Sequence, residues 1–267
     1  MRTDDVLNVA YLRAVESRLL VDVVAEQGAR ITAVARDGPF CARVPHMRRW
    51  TLTDVVAHLG GVHRWAAGIV SARAMSTGHR RGTATGPELI DWFEDGLAQL
   101  VAVLAAADFS ASCPNFSPGS DKTIGFWARR QAHETLVHRW DAEAAAGQIT
   151  AVDSILATDG IDEVLTVFRR TRRSQPLPGS VVLTTTDTRR SWRVNPAAAP
   201  GQVEICSAES GVPGAVAAAV AAPAESLLLA LWGRIPIDGG EFHVTGRREV
   251  ATTFLPGPGP ALALPER

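Results

Sequence analysis

Apolar positions recur at helical spacing over the first 170 or so residues of the chain. Residues 4–35 carry them three and four apart with charges between, the pattern of an amphipathic helix. "CARVPHMRRW" (41–50) interrupts that pattern with Pro45. Thr51 then stands where a helix should be capped, with Asp54 three residues on, a capping box with Asp in place of Glu. The helix it opens, "LTDVVAHLGGVHRWAAGIVSARA", tolerates Gly60 and Gly61 at about 1 kcal/mol each relative to alanine. After the polar loop "STGHRRGTATG", Pro87 suits the first turn of a third helix, "PELIDWFEDGLAQLVAVLAAA". The loop "SCPNFSPGSDKT" leads to a fourth, "FWARRQAHETLVHRWDAEAAAG" (126–147), which ends on a glycine. "AVDSILATDGIDEVLTVFRR" predicts a further helix.

Beyond "RRSQPLPGS" the period changes. "VVLTTTD", "SWRVN" and "QVEICSA" are short runs rich in β-branched residues with turn signals between them. An alanine- and leucine-rich helix is expected over roughly 214–233, and "EFHVTG" and "ATTFL" read as further strands. The tail "PGPGPALALPER" reads as extended or disordered. The shift predicts two domains, 1–173 helical and 178–267 small and mixed, with the boundary at 173–178. The fold class is therefore α+β.

Composition narrows the setting. Hydrophobic residues make up 46% and charged residues 21%, a globular profile. A net charge of −1 gives no global field toward nucleic acid or an anionic membrane. No continuous apolar run is long enough to span a bilayer, since the richest stretch is broken by Pro223 and Glu225. Cys41, Cys113 and Cys206 are scattered and odd in number, which suits a reducing cytoplasm. Lys122 is the only lysine among 27 basic residues, a bias that points to a GC-rich, actinobacterial source.

The fourth helix carries the candidate chemistry. His133-Glu134 followed by His138 superficially resembles a zinc-protease helix, but that motif needs histidines four apart. Five residues turn His133 and His138 roughly 140° away from each other. Glu134 and His138 are four apart and share a face, and Asp141 extends the same stripe. A carboxylate and an imidazole are two of the three protein ligands of a catalytic zinc site. The third must come from His46, His58, His63, His79 or His243. His58 stands out, because Val55, Val56, Ala57 and Leu59 surround it and a buried imidazole must find a partner. A helical histidine is ordinarily a hydrogen-bonded core residue, and a Glu–His pair four apart is ordinarily a surface pair. Spacing alone leaves both readings open. Asp141 reads as a salt-bridge partner or an acid behind the ligands.

"WTLTDVVAHLGGVHRWA" and "FWARRQAHETLVHRWDAEAAAG" resemble the two signature stretches of the mycothiol-dependent maleylpyruvate isomerase family, of the DinB-like superfamily. "ESLLLALWGR" is more loosely similar to a helix near the end of that family's C-terminal domain. The resemblance implies a DinB-like four-helix bundle followed by a small α/β domain similar to sterol carrier proteins. It implies a zinc site of His58, Glu134 and His138, the residues that spacing also selects. It further implies that Arg234 faces the active-site cleft and that the small thiol mycothiol is cofactor or co-substrate. The implied reaction is thiolate addition to a small electrophile, ending in cis–trans isomerisation or S-transfer.

Arg80, Arg81 and Arg234 could pair carboxylates of substrate or cofactor, although Arg80 and Arg81 also read as a solvated basic loop. Trp65 and Trp127 could line a pocket or simply fill the core. The partners expected are a small-molecule thiol and a small electrophile, with no nucleic acid and no membrane, and the chain is expected to be monomeric. Two other readings stand beside this one. In the first, zinc is structural in a non-catalytic DinB-like protein, with Cys41 or His63 closing the fourth position. In the second, zinc-bound water serves a hydrolase.

Overall fold

The helices α1 (Thr3–Asp37), α2 (Leu52–Ala72), α3 (Pro87–Ala105) and α4 (Ile124–Ala146) form a four-helix bundle in this computed structural model. It describes residues 3–47, 49–119, 121–169, 177–196, 203–207 and 215–255. Around the bundle α1 packs on α3 and α4, and α2 packs on the same two. Val55, Val56, Leu59 and Val62 of α2 meet Leu89 and Phe93 of α3 in one apolar cluster. Removing each such side chain from water contributes about 1.5–3 kcal/mol. α4 is buried almost all round, from Phe126 and Trp127 to Ala142, so its polar residues lie inside the bundle. It closes on Gly147, as its sequence predicts. None of the described helices is long and apolar enough to cross a membrane.

The chain divides into two compact units, the first running to Thr150 and the second starting at Ala151. The expected boundary at 173–178 is thus displaced, and 170–176 lie outside the described residues. Helix α5 (Ser154–Glu163) and the π-helical turn Val164–Arg169, expected in the first domain, belong to the second unit. The reason is visible in their partners: Trp192 Nε1 donates to Asp162, Thr158 bonds Thr188, and α5 packs on α6 (Ala224–Leu231).

The second unit is built on a five-stranded mixed sheet. Its strands are β1 (Ser180–Thr185), β2 (Ser191–Pro196), β3 (Val203–Ser207), β4 (Val216–Ala222) and β5 (His243–Gly246), in the order β3-β2-β1-β4-β5. β1 and β4 are parallel and the other pairs antiparallel.

Two sequence expectations fail here. The helix expected over 214–233 is instead a strand followed by a short helix. "VAAAVAA" pairs on both edges, with Ala218, Val220 and Ala222 buried alternately, so the sheet overrides alanine's helix preference. Pro223 separates the strand from α6. "ATTFL", expected as a strand, lies largely in helix α7 (Arg248–Phe254), which buries Val250, Ala251 and Phe254. The tail from Pro256 lies outside the described residues.

Candidate metal centre

The capping box at the start of α2 forms as the sequence predicts. Thr51 N donates to Asp54 Oδ2 at 2.8 Å, and Asp54 N donates to Thr51 Oγ1 at 3.4 Å. The turns before it are tight, with Val44 N donating to Trp50 O and Trp50 N to Met47 O. This framework fixes His46, Trp50 and, two turns into α2, His58.

His58 is 1% exposed and meets Glu134 and His138 of α4. Glu134 Oε1 lies 3.6 Å from His58 Nε2 and 3.3 Å from His138 Nε2. One ligand atom from each residue lies within 4.8 Å of the others. A cation bound tetrahedrally at zinc's usual 2.0–2.2 Å needs donors about 3.4 Å apart, so these residues fit such an ion. Two imidazoles and one carboxylate are also a donor set that suits zinc. Among the described residues no fourth His, Cys, Asp or Glu joins them. Cys41 is exposed, and His63 instead bonds Thr135 Oγ1 at 3.0 Å. Among the described residues, the fourth position of a tetrahedral ion here would thus have no His, Cys, Asp or Glu to fill it.

Each of the three is held from behind. His138 Nδ1 bonds Asp141 Oδ2 at 2.9 Å, and Asp141 Oδ1 bonds His46 Nε2 at 2.7 Å. His58 Nδ1 bonds His79 Nε2 at 3.1 Å. Arg130 Nη2 donates to Glu134 Oε2 at 2.7 Å, leaving Oε1 toward the two rings. A ligand imidazole characteristically engages its other nitrogen in this way, which sets tautomer and orientation.

Electrostatics follow from this wiring. Burial opposes the Glu134 carboxylate, but Arg130 and then the two histidines hold its pKa well below the ordinary carboxylate value. Burial likewise opposes a charged His138, but hydrogen bonds to Asp141 and Glu134 raise its pKa above 6.5. His63, in the bundle interior, is pushed by burial down to about 3 and stays neutral.

Trp50 forms a wall of the centre. Its ring lies 5.9 Å from His138, stacked, and 5.0 Å from His58, edge-on. Arg81 is half-buried, with its guanidinium 4.9 Å from the Trp50 ring centroid and its Nη2 donating to Asp54 O. Of Arg80 and Arg81, it is Arg81 that touches this wall. Arg80 is exposed, and Arg234 lies in the second unit. There Arg234 is buried and donates through Nη1 to Trp232 O. The helix before it ends at Leu231, just short of the expected 233, because Gly233 takes a left-handed φ of 69° while Arg234 N donates to Leu229 O. Trp65 and Trp127 are buried edge to face against each other, so they are core.

Four residues of the centre were not picked out from the sequence in these roles. His46 and His79 were weighed there only as third ligands, and Trp50 and Arg130 not at all. Arg130 carries a usable signal, being four residues before Glu134 on one helix face. His79 is marked only indirectly, by the Gly60-Gly61 pair within α2.

A four-helix bundle with a His–Glu–His cluster whose two histidines are buried, followed by a small mixed-sheet unit, defines the class of protein. The model of the mycothiol maleylpyruvate isomerase N-terminal domain matches residues 21–143, and that of the same family's C-terminal domain matches 156–253. The chain belongs to the mycothiol-dependent maleylpyruvate isomerase family, a family of enzymes. Among solved structures it is similar to a crystal structure of the mycothiol-dependent maleylpyruvate isomerase. The TM-score is 0.58 at 13% identity, covering 86% of this chain and 92% of that one. A histidine-to-alanine mutant of that isomerase gives 0.56 at 14% identity, over 82% and 90%. At these identities the likeness concerns the fold. No curated protein matches the chain.

Proposed function

We propose that this protein is a zinc-dependent enzyme that uses mycothiol as a nucleophile toward a small electrophile. The observation that carries the reading is the spacing of His58 Nε2, His138 Nε2 and Glu134 Oε1, at 3.6 and 3.3 Å about one carboxylate oxygen. His58, Glu134 and His138 would hold the ion. Bound there, zinc would supply the positive charge that keeps a thiol deprotonated at neutral pH. Asp141 orients the His138 imidazole, Arg130 keeps Glu134 ionised, and Trp50 gives the site an apolar wall. The attacking sulfur forms a bond to one carbon of an activated C=C, whose π electrons shift to the activating carbonyl. Rotation about the resulting single bond and expulsion of the thiolate give the trans isomer, whereas retention of the sulfur gives a conjugate. Arg80, Arg81 and Arg234 are the candidate clamps for anionic groups of substrate or thiol. The family membership supports a maleylpyruvate-like substrate and a cytoplasmic setting.

Metal analysis of the purified chain tests this reading. One zinc per chain is expected, lost in His58→Ala and in His138→Ala. Cobalt-substituted protein should change its visible spectrum on adding mycothiol, and isomerisation of maleylpyruvate should require the thiol. Full metal occupancy in both variants would sink the ligand assignment. Turnover without thiol would favour the hydrolase reading, which shares this donor set. Arg234→Lys should keep zinc and melting temperature close to wild type while turnover falls, because lysine cannot reproduce a two-pronged grip on a carboxylate. Unchanged kinetics would remove Arg234 from the active site.

A further inference from the structure

The two imidazoles that face Glu134 are held by unlike partners. Behind His138 stands a carboxylate, Asp141, from the same helix. Behind His58 stands a second imidazole, His79, whose ring meets it edge to face at 81°. His79 belongs to no helix. It comes from the connection between α2 and α3, yet it is 2% exposed.

Hydrogen bonds to the α2 backbone bring that connection down onto the helix. Gly82 N donates to Ala57 O at 3.0 Å, and Arg81 Nη2 donates to Asp54 O at 3.0 Å. The closest approach is at Gly61, one turn beyond His58. A Cβ built there would stand 2.2 Å from Arg80 O and 3.2 Å from the His79 ring. A side chain there would force the backbone of the connection to shift. The glycine that weakens α2 locally is what admits the residue behind His58.

We propose that His79 is a positioning residue for the metal centre. Its Nε2 accepts the proton on His58 Nδ1, which fixes the His58 tautomer whose Nε2 lone pair points toward Glu134 Oε1. The inference rests on the metal-centre reading above and extends it to the α2–α3 connection, which becomes part of the centre's support. Its absence should be felt in metal affinity, since outer partners of ligand histidines characteristically affect it 10–100-fold.

The test is zinc affinity of full-length variants, measured by competition with a chromophoric chelator. His79→Phe keeps a ring in place but removes the acceptor, and His79→Gln restores a carbonyl oxygen. Affinity should fall about 10–100-fold in the first and recover to within about threefold of wild type in the second. Long-range proton–nitrogen NMR of the metal-free protein should find the His58 proton on Nδ1 in wild type and on either nitrogen in His79→Phe. Gly61→Ala displaces the connection without altering any ring, and should also weaken zinc about tenfold or more. It carries the test if His79→Phe does not fold. Zinc affinity within about twofold of wild type in His79→Phe, with His58→Ala losing the metal, overturns the role of His79 alone. Failure of the wild-type chain to bind zinc overturns the centre and this inference together.

Discussion

Helix α4 carries two buried polar clusters that are built on opposite plans. In one, Arg139 pairs with Glu143 at 2.7 Å and also bonds Thr150 O and Gln27 Oε1. Arg30 reaches the other oxygen of Glu143 at 2.8 Å, and Thr150 N donates to the same carboxylate. The guanidinium donors there meet acceptors of opposite charge or of the backbone, and the cluster ties α1 to α4. In the other, lone-pair atoms of His58, Glu134 and His138 converge on each other, while His79, Arg130 and Asp141 engage their outward atoms. Each has a buried centre and a more exposed member, Arg30 in the first and Glu134 in the second. What differs is the direction of the lone pairs, and a convergence of acceptors marks a place for a cation.

The difference predicts separable failures. Arg139→Ala takes one of two guanidinium partners from the Glu143 carboxylate and the donor from Gln27 Oε1, and should cost about 1–3 kcal/mol of stability. Denaturant unfolding should show that loss, while the folded fraction still binds one zinc. If folded Arg139→Ala lost zinc, the two clusters would form a single network and the contrast would collapse.

Asp141→Asn probes the open cluster from behind. It removes the carboxylate shared by His138 and His46, and zinc affinity should drop about 10–100-fold with a smaller stability change. The pH dependence gives a second readout. A proton on His138 competes with the cation, and its pKa is raised above 6.5, with burial opposing the shift and Asp141 and Glu134 producing it. In wild type, affinity should therefore start to fall at a pH above the ordinary histidine value as acid is added. In Asp141→Asn the onset should move to lower pH, because one of the two groups that raise the pKa is gone. An unmoved onset would exclude Asp141 as its cause.

The same contrast explains how much could be read from the sequence. Glu134 and His138 were legible because both sit on one helix, where spacing fixes the face. His58 was legible because an imidazole among valines and leucines needs a partner. His46 and His79 enter from irregular segments, whose path depends on tertiary contacts such as Arg80 O against Gly61. The capping box at Thr51 and the close at Gly147 were local signals and formed as expected. β4 was misread for the converse reason: "VAAAVAA" is a strand only because β1 and β5 flank it. Similarly, α5 follows the periodicity of the bundle, yet its partners Thr188 and Trp192 lie far along the chain.

The smallest effect on metal is expected at the residue that first suggested a metal. His133 adjoins Glu134 and is 1% exposed, so proximity and burial both mark it as a ligand candidate. Helical geometry separates it from His138 by five positions, roughly 140° around the axis, and it is not among the three residues whose donors converge. His133→Ala should therefore leave zinc affinity within about twofold of wild type, outside the range seen when a ligand's partner is lost. Stability should fall, because truncating a buried side chain leaves a cavity costing about 1–3 kcal/mol. That combination, metal kept and melting temperature lowered, is the inverse of the Asp141→Asn phenotype on the same helix. Measured together, the two variants separate packing from orientation of the ligands. Loss of zinc in His133→Ala at a temperature where the protein remains folded would mean that α4 presents a different face to the ion, and the assignment of Glu134 and His138 would fall with it.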